Sequence, residues 1–209
     1  MYTSQFFREA RPDVLRDLIE AHPFATLISH AAAGFSATHL PLMLLPDPDQ
    51  SGRLVGHFAR NNPQWRNTSE GSEVLAVFNG PHGYVSPRAY AVEPDVPTWN
   101  YVAAHVRGTW RIEPDHQCVF RHLEAAITRF ERQRGGPSWR LDSLTPELIE
   151  GLYRGIVAFE IRITRIDCAF KLSQDKAEAD RRAVVTDLET LEDAGARQTA
   201  ALMRQYYGY

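Results

Sequence analysis

Cysteine is almost missing from this chain: two occur in 209 residues, Cys118 and Cys168, far apart and without metal-type spacing. That excludes a disulfide framework and a zinc cluster and makes both expected buried thiols. Long apolar runs are missing too, none approaching the roughly 20 residues that cross a bilayer. Charge of one sign is not in excess, since 23 basic residues against 26 acidic ones leave −3. The chain as a whole therefore has no attraction for a polyanion, and DNA affinity is expected to be weak. Residues 1–8 lack the basic start, apolar stretch and small-residue cleavage site of a signal peptide, so a cytoplasmic location is expected. No Gly-x-Gly-x-x-Gly, P-loop, Gly-x-Ser-x-Gly elbow or helix-turn-helix signature occurs. His39, His57 and His105 fall on expected strands. They show neither His-x-His nor His-Glu-x-x-His spacing, so no metal site is expected.

What is present is an ordinary globular composition, 44% apolar and 23% charged, long enough for one domain over residues 1–209 with one substantial core. Pro12 opens a short amphipathic helix carrying Val14, Leu15, Leu18 and Ile19 on one face. Phe24 to Ser29 and Phe35 to Leu45 read as a hairpin around Gly34, with Pro41 demanding an edge or a bulge. Further strands are expected at 53–59, 73–80 and 100–112, the last with a bend at Gly108, and at 157–163. Helical spacing recurs from Val119 to Phe130, a shorter helix follows Thr145-Pro146-Glu147, and a helical segment closes the chain over about 176–209. Many strands with turn signals and few intervening helices favour an α+β, mainly β fold built on an antiparallel barrel.

Three clusters carry possible chemistry. In His57-Phe58-Ala59-Arg60-Asn61-Asn62-Pro63-Gln64-Trp65, a strand end meets a helix start, so free N–H groups beside Arg60 would suit a phosphate. The same residues also read as a capped surface turn. Lys171 and Ser173, two apart after the last strand, could offer an ammonium and a hydroxyl to one anion, or belong to a charged loop. In Pro97-Thr98-Trp99-Asn100-Tyr101, flat faces alternate with hydrogen-bonding groups, which suits a planar heteroaromatic ring and equally a core or interface anchor.

These blocks, with Thr38-His39-Leu40-Pro41-Leu42, Phe170-Lys171-Leu172-Ser173-Gln174 and the segments 21–27, 74–81 and 84–87, occur in an order that resembles the PaiB-type family of FMN-binding negative transcriptional regulators. The resemblance runs to about Arg182. It implies a split β-barrel of the pyridoxamine-phosphate-oxidase type, with FMN held at the interface of a homodimer, and repression of transcription with DNA as partner. Its implied FMN contacts are His39, Leu40 and Pro41 along the ring, Arg60 and Asn61 near the phosphate, Trp99 and Asn100 beside the flavin, and Lys171 with Ser173. It implies no catalytic residue. A flavin-dependent oxidoreductase or flavin reductase, and a flavin or haem carrier without turnover, remain open beside the regulator. One departure is the short loop between Tyr90 and Pro97.

Overall fold

Alternation of apolar and polar residues fixes which face of each strand is wet. In Phe24–Ala31 (β2), Ala25, Leu27 and Ser29 are buried while the residues between them are not. The computed structural model describes residues 1–46, 52–92, 95–137 and 139–209. Most of the turn expected at 46–52, and Glu93 and Pro94 of the loop before Pro97, lie outside the described residues. The remaining elements run β1 (Arg8–Glu9), α1 (Pro12–Ala21), β3 (Gly34–Pro41), β4 (Met43–Leu45), β5 (Arg53–Ala59), α2 (Gln64–Asn67), β6 (Glu73–Val85), β7 (Thr98–Ile112), α3 (His116–Arg134), α4 (Pro146–Gly155), β8 (Ile156–Lys171), α5 (Glu178–Thr190) and α6 (Ala194–Tyr207). The strands form one sheet in the order β3-β2-β6-β7-β8-β5-β4, with β1 on β8. The β2–β3, β2–β6, β4–β5, β5–β8 and β1–β8 pairs are antiparallel. Pro41 ends β3, at one end of the strand order, where its missing N–H costs no ladder bond. No helix among the described residues is long and apolar enough to cross a membrane.

β6 and β8 are longer than the alternation alone suggests, reaching Val85 and Lys171. The chain falls into two compact units, one from Met1–His22, Phe78–His105 and Asp167–Tyr209, the other from Pro23–Val77 and Val106–Ile166. In the first, Leu18, Ile19, Phe78, Val85, Val102 and Phe170 are buried, as are Val184 and Leu188 of α5 and Met203 of α6. α6 starts so close to β6 that a Cβ on Gly195 would stand 2.8 Å from the carbonyl oxygen of His82. In the second unit, Phe58, Trp110 and Phe159 pack with ring centroids 4.9–5.9 Å apart. Burying an aromatic side chain of 150–250 Å2 is worth about 4–6 kcal/mol at about 25 cal/mol per Å2, before conformational entropy is set against it. At Gly108, where the sequence suggests a bend, β7 runs on unbroken and β8 comes close: a Cβ there would lie 2.3 Å from the carbonyl oxygen of Arg162. Cys168 is buried as expected, but Cys118, in the first turn of α3 with its thiol on Asp115, is only half-buried.

Candidate functional site

Trp99 is the second residue of β7 and points out of the sheet, 53% exposed. Two rings from β6 join it: Tyr84 lies edge-on with centroids 5.9 Å apart and His82 lies tilted at 6.2 Å. Tyr84 is itself 47% exposed. The three form an aromatic ledge on middle strands of the sheet, where a large apolar face is seldom left uncovered. Tyr84 and His82 were not singled out from sequence as ring contacts. Only the pairing of β6 with β7 puts them beside the indole.

Asn100, next along the strand, faces the other way and is fully buried. Its Nδ2 donates to Ser173 Oγ at 2.9 Å and approaches Met203 Sδ at 3.4 Å. Ser173 is buried too, and its φ of 67° turns the chain in the left-handed region directly after β8. Lys171 and Ser173 therefore do not share one side of an extended backbone. Ser173 pairs with Asn100, whereas Lys171 Nζ donates to Thr98 Oγ1 and lies 5.8 Å from the centroid of Phe7. Gln174 closes this turn, accepting from Leu172 N at 2.8 Å and donating to Phe170 O.

The approach to Trp99 is anchored from α5. Buried Asp180 accepts the N–H groups of Ala91 and Val92 at 2.7 and 2.9 Å through one oxygen. Lys176 bonds Asp95, holding that carboxyl below its usual range, and stands 5.7 Å from the ring centroid of Tyr90. Nothing local in the sequence marks Asp180, whose partners lie 88 and 89 residues away.

In the second unit, the turn at Arg60 is more occupied than the sequence implies. Arg60 N donates to Gly155 O, Asn62 N to Ala59 O and Gln64 N to Asn62 Oδ1, at 2.8–2.9 Å. The helix beyond is a single turn, and these N–H groups are not free for a phosphate. The exposed Arg60 guanidinium donates from Nε to Arg154 O at 3.1 Å, with Nη2 3.5 Å from Tyr153 O, at the negative end of α4. A second cation joins it, since Arg66 and Arg60 stand 4.7 and 5.9 Å from the ring centroid of Trp65. Asn61 is exposed beside them. Gln64 is buried and ties the turn to the β2–β3 hairpin. Its Nε2 reaches Leu27 O and Ser29 Oγ at 3.1 Å, and its Oε1 accepts from Thr38 Oγ1 at 2.6 Å.

His39 is exposed on β3, with Nδ1 2.9 Å from Thr26 Oγ1 and its ring stacked on Phe24 at 6.3 Å. Leu40 faces the core and Pro41 is half-buried. Among the described residues no group of three or more His, Cys, Asp or Glu side chains could hold a metal ion.

Residues 1–165 match the family described as "Putative FMN-binding domain". Protease synthase and sporulation protein PAI 2 of Bacillus subtilis is 36% identical over 97% of this chain and 96% of its own length. An uncharacterized protein of Emericella nidulans is 29% identical over 98% of this chain and 97% of its own. Among solved structures, the FAD and heme binding protein of Mycobacterium smegmatis superposes with a TM-score of 0.59 at 19% identity, covering 84% of this chain and 79% of that one. The flavocytochrome Anf3 of Azotobacter vinelandii gives 0.61 at 13% identity, covering 87% and 78%. The fold is the antiparallel split β-barrel of flavin-binding proteins, the cofactor is FMN, and the chain belongs to the PaiB-type FMN-binding family.

Proposed function

We propose that this protein is a homodimeric, FMN-dependent negative regulator of transcription in which the flavin ring packs on the ledge of Trp99, Tyr84 and His82. The observation that carries the reading is that ledge: flat apolar faces, bordered by an imidazole and a phenol, left uncovered on middle strands. A planar, partly polar heteroaromatic ring matches this mixture. Of the two cations that the family resemblance brings to the phosphate, Lys171 has a hydroxyl partner and Arg60 has carbonyl partners, which leave each charge unneutralised. Bound FMN would supply reversible hydride and electron chemistry, and the chain's part is to bind and orient it.

Homodimerisation is supported by the family resemblance and by the apolar ledge, which a second copy would help to cover. Light scattering should give twice the 23.7 kDa chain with flavin bound. The regulatory role is supported by the relative whose name concerns protease synthesis and sporulation. A second reading, an electron-transferring flavoprotein, is favoured by the fold shared with two proteins named for flavin and haem. Saturable, sequence-dependent DNA binding selects the first reading. Reduction of bound FMN by a nicotinamide cofactor, with reoxidation by an acceptor, selects the second.

The site itself is tested by flavin fluorescence with FMN and riboflavin, which differ only in the phosphate. A charge-assisted hydrogen bond is worth roughly 1.5–3 kcal/mol, so Arg60→Ala and Lys171→Ala should each weaken FMN about ten- to a hundred-fold. Riboflavin affinity should hardly change. Equal loss of both ligands would mean these residues act through the fold and not through the phosphate.

A further inference from the structure

One face of β5 and β8, covered by α3, holds a polar site that the flavin reading does not use. His57 on β5 and His122 on α3 bring their rings to 6.2 Å between centroids, at an interplanar angle of 71°. The Nδ1 atom of each is shielded from solvent and has no hydrogen-bond partner. Two adjacent half-buried imidazoles, each with a shielded ring nitrogen lacking a partner, are unusual, because a buried acceptor or donor without a partner is costly. Burial pushes both rings below the usual histidine range, His122 to about 4.

Beside them is a cavity of about 160 Å3 lined by His122, Cys118, Val119 and Val55, with Glu113 and Glu160 at its edge. It is smaller than the roughly 300–1,000 Å3 of organic-ligand pockets, which favours an ion over a cofactor. The charged groups facing it are already engaged. Glu160 is ion-paired with Arg53 at 3.0 Å, and Glu113, which accepts from Asp115 N at 3.0 Å, forms no three-ligand group with the two imidazoles among the described residues. Cys118, one helical turn before His122, donates to Asp115 at 3.2 Å and accepts from Arg121 at 2.9 Å.

We propose that His57 and His122 form a two-imidazole site for a monovalent soft cation, with Cu+ as its natural occupant. The donor count and charge select the ion. Calcium and magnesium require oxygen ligands, and Zn2+ takes four donors in structural sites. The energy of burying an ion grows with the square of its charge, so without an unengaged anionic ligand a divalent ion is disfavoured far more than a monovalent one. Cu+ accepts two neutral nitrogen donors. With metal–nitrogen bonds of about 2.0–2.1 Å as in zinc–imidazole sites, two rings binding one ion from opposite sides would stand about 6 Å apart between centroids, matching the observed spacing.

The test uses the flavin-loaded protein, stripped of metals and titrated anaerobically with Cu+ against a chromophoric Cu+ chelator. One equivalent per chain should be retained, with Zn2+ held at least a hundred-fold more weakly. His57→Asn and His122→Asn should each lower Cu+ retention at least ten-fold, whereas exposed His30→Asn should leave it unchanged. Melting curves report whether the variants fold. A parallel measurement needs no substitution: in protein labelled with 15N-histidine, Cu+ should shift the ring signals of two of the eight histidines. Retention no better than that of His57→Asn, preference for Zn2+, or sulfur ligation in X-ray absorption would each overturn the site, the last placing the ion on Cys118.

Discussion

The two ends of β7 each carry a tryptophan, and their environments are opposite. Trp110 is 1% exposed and wedged between Phe58 and Phe159, whereas Trp99 is 53% exposed beside the rings of Tyr84 and His82. Residue type and secondary structure are the same at both ends. What differs is the neighbour: at Gly108 the absent side chain lets β8 close over the strand, and at Thr98–Asn100 the interior is filled by Asn100 while the indole is left outside. The buried ring serves stability, and the exposed one is available to a ligand.

The comparison is sharpened first by truncating both rings. Trp110→Ala should cost about 3–5 kcal/mol of stability, read by urea unfolding, as large-to-small core changes do. Trp110→Phe should cost much less, because it keeps most of the ring and removes an indole N–H that is buried without a partner. A Trp110→Ala protein as stable as the parent would show that this end of β7 is not the core.

Gly108→Ala attacks the cause of the difference. Its Cβ would clash with backbone, which cannot swing aside as a side chain would, so a loss of at least about 1–3 kcal/mol is expected. Gly151→Ala, with open space around its Cβ, should cost nothing by that route.

A third expected effect is a pH dependence belonging to the second unit. His57 and His122 have folded-state affinities for protons below the usual 6.5, so the unfolded chain binds more protons as pH falls. The contribution of His122 is full above about 6.5 and is lost as pH falls toward about 4, and that of His57 is likewise lost as pH falls below the usual histidine range. Urea midpoints between pH 7 and 5, above the carboxylate range, should fall in the parent and fall less steeply in His122→Asn.

The smallest effect is expected at the exposed end. Trp99→Ala should leave stability within about 0.5 kcal/mol of the parent, the usual range for surface positions. It should weaken FMN and riboflavin alike, about ten-fold or 1.4 kcal/mol. Loss of FMN affinity alone would move the ring off the ledge.

Much of this contrast was legible in the residues. Apolar runs bounded by turn signals, with alternation at 157–163, located the six long strands, although the single strand expected at 35–45 breaks after Pro41 into β3 and β4, and helical spacing with Pro12 and Thr145-Pro146 located α1, α3 and α4, because these signals depend on near neighbours in the chain. The ordered motifs pointed to FMN. Less legible was which way each motif residue faces. Asn100 and Ser173 pair with each other across 73 residues, and the N–H groups beside Arg60 are taken by Gly155 O, Ala59 O and Asn62 Oδ1. A polar residue in a motif carries no local mark of whether its partner is a ligand or another part of the chain.

The sequence by itself determined the mainly β class, the helical C-terminal segment and the family, since composition, periodicity and motif order are properties of the chain read in one dimension. Only the tertiary structure decided that Tyr84 and His82 flank Trp99, that Asp180 anchors the approach to it, and that His57 meets His122. Each of these pairings joins residues 15 or more positions apart, and strand pairing and helix docking choose such neighbours through the burial of surfaces that no local pattern encodes.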